Sequence, residues 1–182
     1  KNTGNEYCSR VYFADLKPLE EIAATASRKA IQLLDPVMIK TQRASVIFDP
    51  EVGRALFGGI IAAINGERVL QGASFLKDYM GKQFASQLLT MTDDGTLAKS
   101  LGSSPFDGEG VPTIKNVLVE KGVLRSFIYN TKAAKRAGVK STGNASRGGF
   151  TSLPGIGTHN VYISAGENTR DEIIKSTLKG LL

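Results

Sequence analysis

The chain has 182 residues, 41% of them hydrophobic, and 23 Lys and Arg against 17 Asp and Glu give a formal net charge of +6. That apolar content supports one large domain or two small ones, and no continuous apolar run is long enough to cross a bilayer. The first residues show no signal-peptide pattern, so a cytoplasmic protein without a membrane partner is expected. The single cysteine, Cys8, excludes an internal disulfide and fits a reducing compartment. It is expected to be a small buried residue rather than a nucleophile, the only histidine being the distant His159. Basic residues are scattered. Their densest cluster, Lys132, Lys135, Arg136 and Lys140, has no interleaved aromatics. It reads as a solvated basic face, with an acidic peptide or partner as the alternative, and a nucleic-acid partner is not expected.

After a polar opening, Leu19, Ile22, Ala23, Ala26, Ala30, Ile31 and Leu34 predict an amphipathic helix that stops before Asp35-Pro36 and packs on a sheet. Residues 37–40 and 44–48 read as strands leading into a central helix. That helix has a strong opening: Asp49 is a good N-cap, Pro50 suits the first helical position, and Glu51 sets a negative charge beside the positive end of the helix dipole. Val52, Leu56, Ile60, Ile61 and Ile64 then keep an apolar stripe at helical spacing until Asn65-Gly66.

Residues 87–92 predict a strand ended by the turn Asp93-Asp94-Gly95. Residues 114–120 and 123–129 predict a hairpin joined at Lys121-Gly122, whose Gly can take positive φ. A short helix over 131–137 is expected to end at Gly138, and residues 160–164 make a late strand. Thr169 and Glu172 form a capping box for a helix through Ile173, Ile174 and Leu178, after which Gly180-Leu181-Leu182 enter a further strand. Without a regular βαβ rhythm, the fold class is α+β: a mixed, largely antiparallel sheet packed with a few helices.

Two loops carry polar residues on glycine-rich backbone. One holds Asp107, Gly108, Glu109 and Gly110; it lacks EF-hand ligand spacing and reads as a structured turn. The other, residues 139–158, has few core residues and holds Asn144, Ser146 and Arg147. It is either a loop letting backbone approach a ligand or partner closely, or a surface loop with no ligand.

The run from Val46 to Gly59 resembles the helix that carries the H-E-x-x-x-H zinc motif in the TldD/PmbA family of metallopeptidases, also called modulators of DNA gyrase. The resemblance continues through Met91-Thr92-Asp93-Asp94-Gly95-Thr96, Asp107-Gly108-Glu109-Gly110-Val111-Pro112, residues 116–124, and Thr142-Gly143-Asn144 before Arg147. Laid over that pattern, Asp49 and Pro50 occupy the His-Glu positions and Arg54 that of the second His, which matches the PmbA/TldE branch lacking the motif.

Chemistry supports the same reading. Arg54 stays protonated and has no lone pair for a metal, and Pro50 supplies no general base. The resemblance therefore implies no catalytic residue and no metal in this chain, zinc in a TldD-like catalytic partner, and a two-subunit peptidase for small unfolded peptides. An extended peptide would be held here by strand addition, with Asp107 to Gly110, Asn144, Ser146 and Arg147 as candidate contacts. A regulatory module acting on a toxin or on DNA gyrase is the alternative. A homodimer is the alternative assembly in isolation. The resemblance also implies a central fragment of a larger two-domain protein: residues 1–36 ending an N-terminal domain with a connecting helix, and residues 37–182 forming a central to C-terminal domain incomplete at its end.

Overall fold

The structure, a computed structural model, describes residues 2–181. It divides into two compact units, one running to Ala44 and including Lys99–Leu101, the other holding Ser45–Ala98 and the chain from Gly102 onward.

In the first unit, helix α1 (Leu19–Gln32) opens after Pro18 with Glu20 and Glu21 in its first turn, where acidic side chains complement the helix dipole. The segment before it runs alongside. Gly4 lies so close to Ala26 and Ala30 that a Cβ would strike their backbone, and the Lys29 ammonium meets the Glu6 carboxylate at 2.6 Å. That contact holds the Glu6 carboxyl below its usual range. The sheet expected beneath α1 is not in this unit: it has no strand among the described residues, and no residue of α1 is fully buried. The strand expected at Val37–Lys40 does not form either. Met38 is fully exposed, and an isolated extended run with no neighbouring ladder leaves its backbone groups to water. Cys8 is half-buried rather than buried.

The second unit is built on a four-stranded antiparallel sheet in the order β4-β3-β2-β7, from β2 (Met91–Asp94), β3 (Lys115–Glu120), β4 (Val123–Leu124) and β7 (Val161–Ile163). Two separate two-stranded ribbons accompany it: β1 (Ser45–Val46) pairs in parallel with β8 (Gly180–Leu181), and β5 (Ala145–Ser146) pairs antiparallel with β6 (Gly155–Ile156). Leu182 lies outside the described residues. Among the described residues four helices complete the unit: α2 (Pro50–Ala63), α3 (Gly66–Leu70), α4 (Thr131–Ala137) and α5 (Arg170–Ser176). The core joins Ile64, Leu76, Met91, Leu118, Val119, Leu124 and Ile128, all at most 2% exposed. The expected α+β class, with a mainly antiparallel sheet and a few helices, is the observed one.

Local chemistry accounts for the boundaries. Asp49 caps α2 by accepting from the Glu51 N–H at 3.1 Å, and the predicted capping box of α5 forms between Thr169 and Glu172 at its start; that helix ends at Ser176, short of Leu178. The two N–H and O–H donors of Thr169 hold the Glu172 carboxyl below its usual range. The β3–β4 turn sets both Lys121 and Gly122 at positive φ (47° and 79°), the two-residue hairpin geometry that matches strand twist. Gly122 is also required by space, since a Cβ there would meet the Ala85 carbonyl. Asn65-Gly66 does more than stop α2. Asn65 accepts from Glu67 N–H and caps α3, while Gly66 sits against the Tyr129 ring with its N–H bonded to Ile128 C=O at 2.9 Å.

Several strands are shorter than expected: that at 44–48 keeps only Ser45–Val46 and that at 160–164 only Val161–Ile163. Residues 87–90 form a turn before β2, and Asp93 and Asp94 belong to the strand instead of ending it, because their side chains are consumed in hydrogen bonds that a buried strand end can accommodate. Residues 125–129 leave the β4 ladder: Arg125 N–H and Ser126 N–H both turn to Leu118 C=O, and Ile128 pairs with Asn65 as an isolated bridge.

Candidate functional site

The start of α2 faces an apolar groove of about 530 Å³. Pro50, Arg54 and Phe57 line one side, and Met91 of β2 with Val161, Tyr162 and Ile163 of β7 line the other. β7 ends the sheet order, so its outer edge has no strand beside it among the described residues. Phe48 and Leu56 also line the groove and are about half exposed, as is Val52 beside them on α2.

A second, more polar cavity of about 380 Å³ opens where the loop before β3, the β5–β6 ribbon and the turn into β7 converge. Two buried carboxylates organise its walls. Asp107 Oδ1 accepts from the N–H groups of Glu109 and Val111 at 2.9 and 3.0 Å, and Oδ2 accepts from Ala145 N–H at 2.9 Å. Asp93, with no exposed surface, accepts from His159 N–H at 2.8 Å and from the Asn144 amide at 2.7 Å. The Asn144 side chain makes four bonds: its oxygen accepts from Asn116 and from the Thr142 hydroxyl, and its amide also donates to Gly157 C=O. Buried amides and carboxylates of this kind are stable only when each polar atom is paired, as here.

His159 donates from Nε2 to Gly143 C=O at 2.7 Å, because a carbonyl can only accept; in the neutral ring Nδ1 is then the acceptor. Nearby, Asp94 accepts from both the hydroxyl and the N–H of Thr96, which hold its carboxyl below the usual carboxylate range.

The sequence model for the PmbA/TldA metallopeptidase C-terminal domain matches residues 41–182. The chain belongs to the PmbA/TldD metallopeptidase family. It is 33% identical over 93% of its length to the metalloprotease PmbA of Escherichia coli O157:H7, and 33% identical over 86% to a metalloprotease TldD homolog of Buchnera aphidicola. Its fold overlays the crystal structure of TldE from Thermococcus kodakarensis with a TM-score of 0.80 and 33% identity over 90% of the chain. The chain spans 35%, 31% and 37% of those three proteins, about a third of each.

The family's metal chemistry can be tested against these side chains. At the start of α2 the carboxylate of Asp49 is engaged as a cap, Pro50 offers no donor atom, and Arg54 carries a permanent charge into the groove. These residues do not fit a zinc ion.

The residues predicted for peptide contact part into three groups. Asp107, Gly108, Ser146 and Arg147 line the polar cavity together. Glu109 instead turns to α4, where its Oε2 accepts from the Thr131 N–H at 2.8 Å, and Gly110 makes the turn between Asp107 and Val111 at φ 81°. Asn144 is 1% exposed and braces the wall from behind. The 139–158 segment therefore has more core character than its composition predicts, through Asn144, Ala145 and the β5–β6 ribbon. Sequence reasoning passed over Ser104, Phe106, Thr158 and His159 as cavity residues. The signal for His159 was its place at the entry to a strand beside the half-buried Asn160, whose amide donates to Asp94 C=O at 2.7 Å.

Of the basic cluster on and after α4, Lys132, Lys135 and Lys140 are exposed and Arg136 pairs with Glu67 at 3.0 Å. Among the described residues no helix is long and apolar enough to cross a membrane.

Proposed function

We propose that this chain is part of a non-catalytic, cytoplasmic subunit that pairs with a TldD-like zinc subunit to form a peptidase for small unfolded peptides. One observation carries the reading: the helix that presents metal ligands in the catalytic branch here presents a cap, an imino acid and a guanidinium. The partner would supply the metal-bound water that attacks the peptide bond. This chain's own part is to hold and align an extended peptide. The unpaired edge of β7, bordered by the apolar groove under α2, suits strand addition, in which main-chain hydrogen bonds give affinity and side-chain pockets give selection. The polar cavity lined by Asp107, Gly108, Ser146 and Arg147 offers the fixed polar contacts.

The test is reconstitution. The protein alone cleaves no peptide, and adding a TldD-like subunit produces an activity that a chelator abolishes. Peptide cleavage by the protein alone would overturn the proposal. Tight pairing with no cleavage in any mixture would favour a regulatory module.

A further inference from the structure

The geometry of the polar cavity points to a specific ligand group. We propose that it is a carboxylate subsite anchored by Arg147, which takes the C-terminal carboxylate of an extended peptide; this rests on the peptide-holding role proposed above.

Arg147 is fixed by neutral partners. Its Nε donates to Gly108 C=O and one Nη to Ser152 C=O, both at 2.8 Å. Two carbonyls set the plane of the guanidinium without cancelling its charge, and three of its five N–H donors remain. None of the ion pairs among the described residues involves it. A rigid, charged fork with free donors matches a carboxylate, which accepts two parallel N–H bonds.

The neighbouring acids do not compete for this fork. Asp107 accepts three backbone N–H groups, and Glu109 is turned to the start of α4. Asp93 is fully buried behind Asn144. The rest of the wall suits the end of a peptide. The Ser146 and Thr158 hydroxyls are donors and acceptors, the ring of His159 offers Nδ1 as an acceptor for an N–H, and Phe106, 57% exposed, gives an apolar surface for a terminal side chain. The volume of about 380 Å³ lies at the small end of ligand sites and suits one residue, not a long segment. A single guanidinium with no lysine in the lining matches one negative charge better than the two of a phosphate monoester.

Calorimetric titration of the protein with three probes tests this: tetra-alanine with a free C-terminus, the same peptide as its C-terminal amide, and N-acetyl-Ala-Ala-Ala-Glu amide. The free acid is expected to bind at least about tenfold more tightly than the amide, a difference of about 1.4 kcal/mol. Arg147→Gln removes the preference, and Arg147→Lys, which keeps the charge but not the fork, retains part of it. If the glutamyl amide binds like the free acid, the source of the carboxylate is a side chain and the C-terminal assignment is overturned. Equal binding of acid and amide overturns the carboxylate subsite while leaving peptide holding intact. Failure of all three to bind overturns both. The acid-to-amide comparison uses the unaltered protein, so it stands even where Arg147→Gln fails to fold.

Discussion

Replacing Asn144 by Asp probes the buried network behind the polar cavity with a sign that few other changes give. The Asn144 amide lies 2.7 Å from Asp93 Oδ2, and both residues are at most 1% exposed. In the variant an oxygen replaces that nitrogen. Two carboxylates at this separation repel by about 6 kcal/mol at an effective dielectric of about 20. Taking up one proton is cheaper: at pH 7 it costs about 4 kcal/mol for a carboxyl that ordinarily titrates near about 3.9. The protonated pair regains an O–H···O bond, but the bond to Gly157 C=O is lost, adding about 1 kcal/mol. The expected loss is therefore about 5 kcal/mol at pH 7, a large part of the about 5–15 kcal/mol that stabilises most domains.

The pH dependence follows from linkage. The folded variant holds a proton that the unfolded chain lacks, so its stability is present below the unfolded pKa and falls as pH rises, by about 1.4 kcal/mol per pH unit. Urea unfolding of variant and parent at pH 7, 6 and 5 measures the difference at each pH. The deficit should shrink by about 3 kcal/mol between pH 7 and pH 5. A deficit of the same size at all three values, or none at pH 7, would refute the network as described.

Two further changes act elsewhere. Thr96→Val removes the hydroxyl bond to Asp94, the largest cause of that carboxyl's lowered pKa, and should cost about 1.5–3 kcal/mol at pH 7. Because a lowered pKa contributes stability above the unfolded value and loses it as pH falls through the folded one, thermal melts of parent and variant should converge in acid. Replacing both Asp49 and Arg54 by His should yield no zinc-dependent peptidase, assayed by peptide cleavage after zinc loading. Pro50 still supplies no base, and five residues turn a regular helix by about 500°, leaving the two side chains about 140° apart, so the helix would also need distortion to bring them to one ion. Cleavage by that variant would contradict this account of the helix.

What the sequence made legible was local. The Asp49 cap, the α4 stop at Gly138, the Lys121-Gly122 turn and the Thr169–Glu172 box each depend on a few adjacent residues whose chemistry admits one geometry. The polar cavity was half legible. Asp107, Gly108, Ser146 and Arg147 stand out as polar residues on glycine-rich backbone, but the two loops meet only through the bond of Asp107 to Ala145 across 38 residues, and His159 is placed by its bond to Asp93 across 66. Polarity alone also misplaced Asn144. A side chain that reads as a surface contact is buried because three neighbouring segments offer partners for all of its atoms. Val37–Lys40 failed in the opposite way, since strand propensity does not form a strand where no neighbouring strand completes the ladder.

The most direct test of the central claim is zinc content after equilibration of the purified protein with the metal and exhaustive dialysis. The α2 side chains predict essentially no retained zinc in the protein alone, and retention only when a TldD-like subunit is present. One zinc per chain in the protein alone, lost on Asp49→Ala, would contradict the claim.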